Sequence, residues 1–300
     1  MRTPPNPRRA PAARPRRSDV AELVASWPVM RDATVAAWLA AALLSVTGVI
    51  ALVRDEIFLG ATLAQASTLG MIAAPWLAAA LHAEHTALLG GDGFEYLLAV
   101  LFAATVAIVL ELAFERREDG RIALGYVFLV ATGLSVLIAG RIPGGREQLE
   151  QLLTSSTVAA GPVHVAVLSL ALVALSALLA SSRRKLLLVV LDRPTAAAAG
   201  LRTGVWSMLL AAAVGTTVGL CVPVAGVVYA FACFLLPALV ARNTCREIGS
   251  MFAVAPIVSV GCAVVAFVVA RRLEMPPAAL AVVLQAFLVG PAWLLRRVRP

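Results

Sequence analysis

Residues 57–81 read IFLGATLAQASTLGMIAAPWLAAAL, a run of 25 residues without a formal charge that still carries a polar cluster. The cluster consists of Thr62, Gln65, Ser67 and Thr68. A helix that faces only lipid has no use for four hydrogen-bonding side chains within seven residues, because unsatisfied polar groups are costly in hydrocarbon. On a helix, Gln65 and Thr68 share one face and Thr62 falls one turn before them. We interpret the run as a buried helix that lines a translocation path; hydrogen bonding to neighbouring helices is the alternative that these residues leave open.

The composition places most of the chain out of water. Hydrophobic residues make up 61% and charged residues 14%, whereas soluble domains average roughly 45–50% and 25%. The formal net charge is +8, but six arginines and no acids fall within residues 1–17. The positive charge is therefore local and does not indicate a nucleic-acid-binding protein. The sequence predicts an all-α, polytopic integral membrane protein.

About eight or nine transmembrane helices are predicted, together with short interfacial and cytoplasmic helices. We count nine hydrophobic spans, of which the first has 21 uncharged residues, enough to cross a hydrocarbon core of about 30 Å: 33–53, 57–81, 96–110, 122–139, 162–180, the two halves of 203–241, 248–270 and 278–295. The loops at 54–56, 115–121, 183–202 and 242–247 hold most of the interior Arg and Lys. By the positive-inside rule, these loops face the cytoplasm.

The amino end divides into two segments ahead of the membrane domain. Residues 1–18 are rich in Pro and Arg, which is typical of a disordered basic arm against anionic lipid headgroups. Residues 19–32 have apolar positions at helical spacing beside acids and a Trp, which predicts an interfacial helix. Residues 33–300 then form the membrane domain.

Two breaks in the carboxyl half can be placed from Gly and Pro. The uncharged run 203–241 is too long for one span, so it must fold back, and VPVAG at 222–226 is the best position for the turn. Before it, Asp192 is suited to cap a short cytoplasmic helix that Gly200 ends.

Few residues indicate metal binding or catalysis. His82, Glu84 and His85 could contact a metal at the outer mouth, since imidazole and carboxylate are natural ligands. The cysteines Cys221, Cys233, Cys245 and Cys262 lack metal-binding spacing, and three of them lie in apolar runs, typical of small buried residues. There is no Gly-rich phosphate loop and no catalytic triad pattern. We expect no enzyme activity and no cofactor, and any ATP must be bound by another chain.

Several stretches together resemble the permease subunits of the ABC-type metal-ion importers, the ABC-3 family that takes up zinc, manganese or iron. They are LVRDEIFLGATLAQASTLG (52–70), LDRPTAAAAGL (191–201), GVVYAFACFLLPALVAR (226–242) and RLEMPPAALAVVLQAFL (272–288). The resemblance implies a divalent metal ion as cargo, two paired permease copies in a bacterial inner membrane, a cytoplasmic ATP-binding subunit and an extracytoplasmic metal-binding protein. Whether the pair is a homodimer or a heterodimer stays open.

The same resemblance implies contacts with the ATPase. The first choice is residues 242–250, with Arg242, Arg246 and Glu247, and the second is the segment from Asp192 to Gly200.

One departure from the family pattern bears on the cargo. The family places an Asp and a His four residues apart on the second helix, and the matching positions are Ala61 and Gln65. The family's Pro is also absent, at Leu69. Two alternatives follow: a degenerate, permease-like anchor or regulatory subunit, or a permease for a chelated metal or small organic ligand that neutral side chains would contact.

Overall fold

The computed structural model describes residues 19–80, 92–115, 120–154 and 160–298, and within these ranges every regular element is a helix. The helices are α1 (Asp19–Val53), α2 (Leu59–Ala80), α3 (Asp92–Glu115), α4 (Gly120–Ala139), α5 (Gly145–Thr154), α6 (Pro162–Ser181), α7 (Arg183–Leu191), α8 (Arg193–Ala198), α9 (Thr203–Ala225), α10 (Val227–Thr244), α11 (Ile248–Leu273) and α12 (Pro277–Val298). This confirms the all-α class.

Eight of the described helices are long and apolar enough to cross a membrane, namely α1, α3, α4, α6, α9, α10, α11 and α12. This confirms the polytopic membrane architecture. The ninth predicted run, α2, is not among the eight. It packs against α3, α4, α9 and α10. The helix that carries the polar cluster is thus surrounded by other helices of the bundle.

The chain divides into two units, with the boundary between Arg31 and Asp32. In the first unit, the described residues, 19–31, are helical. The second contains the rest of α1 and all later helices. The predicted interfacial helix 19–32 and the predicted span 33–53 both fall in the single helix α1, without a turn between them. The interfacial position of 19–32 stays a prediction, and the arm at 1–18 lies outside the described residues.

Two glycines allow helices to approach more closely than any side chain would permit. A Cβ atom added to Gly48 of α1 would lie 1.7 Å from the carbonyl oxygen of Phe234 in α10. A Cβ atom on Gly70 of α2 would lie 2.5 Å from the carbonyl oxygen of Leu98 in α3. Small residues at such crossings bring backbones into contact, as in other membrane helix pairs. These contacts fix α1 against α10 and α2 against α3.

Both predicted breaks in the carboxyl half are confirmed. Helix α9 ends at Ala225 and α10 begins at Val227, with Gly226 between them at φ +81° and ψ 162°. An Oδ1 atom of Asp192 accepts a hydrogen bond from the backbone N–H of Thr195 at 3.0 Å, so Asp192 is the N-cap of α8. Gly200 follows this helix at φ +78°.

Two further segments can be compared with what their sequences predict. The polar, Gly-rich stretch 82–95 predicts a loop, but α3 begins at Asp92, so 92–95 are helical. Within 141–161, Glu147, Gln148 and Glu150 predict an amphipathic helix, which is α5; its Leu152 is buried against Ile72 of α2.

Candidate functional site

The four polar side chains of α2 have different surroundings. The Oγ1 atom of Thr62 lies 3.2 Å from the carbonyl oxygens of both Phe58 and Leu124, the latter on α4. Thr68 donates to the carbonyl oxygen of Ala64 at 3.0 Å. Both hydroxyls are therefore satisfied by backbone, which is the alternative that the sequence left open for them.

Ser67 and Gln65 are not satisfied in this way. The Oγ atom of Ser67 is buried and has no hydrogen-bond partner among the described residues. The amide of Gln65 also makes no hydrogen bond to any described residue, although its side chain is only 8% exposed. Residues two positions apart on a helix differ in direction by about 200°. The side chains of Gln65 and Ser67 therefore point to nearly opposite sides of α2.

Gln65 lies on a line of residues that runs along α2 from Phe58, directly before the helix, to Trp76. Phe58, Gln65, Leu69 and Trp76 are spaced by seven, four and seven residues, which keeps them within about 20° of one direction on the helix. Phe58 is 43% exposed and Trp76 is 52% exposed at the two ends of this line. We call these four residues the α2 edge. The residues at both ends of the α2 edge are exposed, and Gln65 between them is nearly buried. The α2 edge therefore lies at the surface of the single chain, where a second chain could cover it.

A buried charge cluster lies at the end of the bundle where α2 begins. The carboxylate of Glu111, near the end of α3, is 2% exposed. One of its oxygens accepts a hydrogen bond from Arg54, in the turn between α1 and α2, and the other accepts one from Arg193 of α8. Arg193 also donates to the Oγ atom of Ser207 in α9. Arg54 also forms a salt bridge with Glu56, in which the Nε atom of Arg54 lies 3.0 Å from the Oε1 atom of Glu56.

The electrostatics of this cluster are nearly balanced. Burial raises the pKa of Glu56 to about 7; the Arg54 guanidinium opposes this rise and the Glu111 carboxylate adds to it. With both acids ionised, the two arginines are neutralised. When Glu56 is protonated, the cluster carries one net positive charge at the start of α2.

The sequence reasoning missed this cluster as a unit. It placed residues 54–56 in a cytoplasmic loop, and it singled out neither Glu111 nor Arg193 as a functional residue. Glu111 could have indicated the cluster, because it is the one acid at the end of an otherwise apolar run. A carboxylate at membrane depth needs a cationic partner. The identity of that partner required the fold, because Arg193 is 82 positions away in sequence.

The predicted ATPase contacts lie at the same end of the bundle as the cluster. Arg242 is exposed in the last turn of α10, and Arg246 and Glu247 are exposed between α10 and α11. Asp192 is exposed as well, and hydrogen bonds from the Thr195 side chain and backbone lower its pKa. Asp192 therefore has a structural role as the N-cap of α8. A contact with the ATPase would be a second role for this residue.

A polar cavity of about 340 Å³ lies at the opposite end, among α2, α3, α5, α6 and the α9–α10 turn. Its polar side chains are Glu95, Tyr96, Gln148, Gln151 and His164. Gln148 donates to Glu95 at 2.9 Å, and the Nδ1 atom of His164 accepts from the backbone N–H of Gly161 at 3.1 Å. A neutral His164 therefore carries its proton on Nε2, as a donor rather than a metal ligand.

The predicted outer contacts His82, Glu84 and His85 lie outside the described residues. Across the part of the chain that is described, no group of three His, Cys, Asp or Glu side chains could hold a metal ion. Cys221, Cys233 and Cys262 are buried, as predicted.

Comparisons with known proteins agree on one architecture. The model of the ABC 3 transport family matches residues 26–295. Among solved structures, PsaBC from Streptococcus pneumoniae in complex with Fab has a TM-score of 0.75 at 16% identity, with 91% of this chain and 95% of that chain covered. A metal-chelate type ABC transporter in an inward-facing conformation has a TM-score of 0.66 at 19% identity, with 93% and 89% covered. No curated protein sequence matches.

Proposed function

The chain belongs to the ABC 3 transport family, and from this membership we propose that it is the permease subunit of an importer for a metal ion, either free or chelated. It is a multi-pass protein of the bacterial inner membrane. ATP would be bound and hydrolysed by a separate cytoplasmic chain. The exposed segments 192–200 and 242–250 would contact that chain, and an extracytoplasmic binding protein would deliver the cargo at the opposite end.

The observation that carries the proposal is the unpartnered amide of Gln65 in the middle of the α2 edge. If the Gln65 amide came into contact with lipid, it would find no hydrogen-bond partner there, at a cost of about 1–3 kcal/mol. A second permease copy packed along this edge would remove the amide from lipid and leave it facing a path between the two copies. The cargo then passes Gln65 on its way across the membrane.

The chemistry of this edge bears on the form of the cargo. Positions that carry Asp and His in the family pattern are Ala61 and Gln65, so one neutral carbonyl oxygen replaces a carboxylate and an imidazole. A bare divalent cation is held best by charged or strongly basic ligands. A chelated metal already has its coordination sphere filled and needs only hydrogen bonds from the path. The similarity to a metal-chelate type transporter supports this second form of the cargo.

The experiment is metal accumulation in cells that express the chain with its ATPase, with zinc, manganese and iron supplied free and as chelates. We expect Gln65→Ala to lower uptake of the transported form at least five-fold, whereas Leu170→Ala, on a lipid-exposed face of α6, should leave it unchanged. Unchanged uptake in Gln65→Ala would remove the α2 edge from the path. A chain that supports no uptake in any form would favour the anchor or regulatory subunit instead.

A further inference from the structure

A second cavity, unrelated to the α2 edge, lies at the end of the bundle that carries the basic loops. Its volume is about 280 Å³, and α1, α6, α7, α9 and α11 form its walls. Its walls are apolar; they include Ile50 and Val53 of α1, Leu186 and Leu187 of α7, and Phe252 and Ala253 of α11. The exposed residues Ala180 and Ala253 leave it open to the outside of the bundle.

The apolar walls of the cavity favour an apolar occupant over water. An enclosed apolar cavity of about 150 Å³ binds benzene; this one is open at its mouth and has a volume of about 280 Å³. Its mouth lies beside spans α6 and α11, which face the hydrocarbon. The apolar molecules at high concentration there are acyl chains, which gain free energy at about 0.8 kcal/mol per buried methylene.

Basic residues next to the cavity favour a lipid with an anionic headgroup. The first turn of α7 consists of Arg183, Arg184 and Lys185, directly before the wall residues Leu186 and Leu187. Within the described residues, neither Arg184 nor Lys185 pairs with a carboxylate, and Lys185 lies 5.8 Å from the centre of the Trp206 ring. On the opposite wall, Arg246 and Glu247 precede Ile248 and cancel each other. The charged residues directly before these two walls therefore carry a net positive charge.

We propose that this cavity binds one anionic phospholipid of the cytoplasmic leaflet, with an acyl chain against Leu187 and Ala253 and the phosphate on the basic turn of α7. The lipid would lie between α7, which leads into α8, and the start of α11. Both predicted ATPase contacts therefore adjoin it. The site requires only that the chain is embedded in a membrane and does not depend on the proposed cargo.

The test is native mass spectrometry of the full chain purified in mild detergent and titrated with phosphatidylglycerol or phosphatidylcholine of identical acyl chains. We expect one tightly retained phosphatidylglycerol. Ala253→Leu and Leu187→Trp fill the cavity from opposite walls, and each should lower the lipid-bound fraction at least five-fold. Gly261→Leu lies on an open face of the same helix α11 and should keep the parental fraction.

The headgroup is tested separately with Arg184→Gln and Lys185→Gln. A basic residue near an anionic surface is worth about 1 kcal/mol, or about five-fold in binding, so each change should lower the preference for phosphatidylglycerol by that factor. Retention that is equal in the parent and in both cavity-filling variants, confirmed as folded by size exclusion, overturns the site. A parent that retains no phospholipid, or forms a lipid-free dimer through this face, overturns it as well. Because no transport is measured, a failure here is distinguishable from a failure of the importer assignment.

Discussion

Arg193, on the short helix α8, donates to the buried carboxylate of Glu111 at the far end of α3. The other oxygen of this carboxylate holds Arg54, five residues before α2 begins. A single side chain thus joins a helix predicted to contact the ATPase with the turn that starts the α2 edge. The predictions below test this connection, its titration and the turn between α9 and α10.

Glu111→Gln should destabilise the protein, because it leaves the guanidinium groups of Arg54 and Arg193 without their shared counter-charge. Removing one member of a buried ion-pair network costs about 3 kcal/mol or more. Thermal unfolding in detergent measures the effect. Glu147→Gln, on the exposed side of α5, is the matched control and should unfold with the parent. Equal melting temperatures for Glu111→Gln and the parent would contradict the cluster.

Arg193→Gln should separate ATP hydrolysis from uptake in the assembled transporter. It breaks the connection between α8 and Glu111 while Arg54 continues to neutralise the carboxylate. We expect hydrolysis to stay within two-fold of the parent and metal uptake to fall at least ten-fold. Arg202→Gln, an exposed arginine between α8 and α9, should change neither. Parental uptake in Arg193→Gln would show that α8 acts by another route.

Glu56 should make stability depend on pH below neutrality. Its pKa is 4.5 in an unperturbed side chain and about 7 in the folded protein, so the folded state binds the proton more tightly. Stability therefore falls as the pH rises from 4.5 to 7 and is level above 7. The total change is on the order of 3 kcal/mol, and Glu56→Gln should abolish most of it. Denaturation at pH 5 and pH 8 measures both proteins; an identical pH difference in the two would refute this assignment.

Gly226→Ala should destabilise the turn between α9 and α10. The backbone there adopts φ +81° and ψ 162°, a region open essentially to glycine only, and a side chain costs about 1–3 kcal/mol. Gly290→Ala is the opposite case, because Gly290 is helical and a Cβ atom there meets nothing. That change should be neutral or stabilise by up to about 1 kcal/mol. Thermal unfolding in detergent measures both variants. Equal melting temperatures for Gly226→Ala and Gly290→Ala would show that a side chain at residue 226 causes no backbone strain.

Local signals made the membrane fold predictable from sequence. Long apolar runs and charged turns predicted the positions of the helices. Gly226 indicated the turn between α9 and α10, and Asp192 indicated the N-cap of α8. Each depends on residues within a few positions of one another.

The site was less predictable because its relationships are long-range. The polar residues of α2 were identified, but only packing shows that Thr62 and Thr68 bond to backbone while Gln65 stands at an accessible edge. The connection from Arg193 to Glu111 and the cavity beside α7 depend on helices that meet only in three dimensions. A window of sequence contains no information on such meetings when the partners are dozens of residues apart.

The contact at Gly48 restricts how the protein can move. With the Phe234 carbonyl oxygen 1.7 Å from where a Cβ atom of residue 48 would lie, α1 and α10 are in backbone contact and cannot approach each other further at this crossing. A conformational change of the bundle therefore cannot come from closer approach of this pair. Neighbouring helices restrict movement least at the periphery, where only 11% of the span α6 is buried.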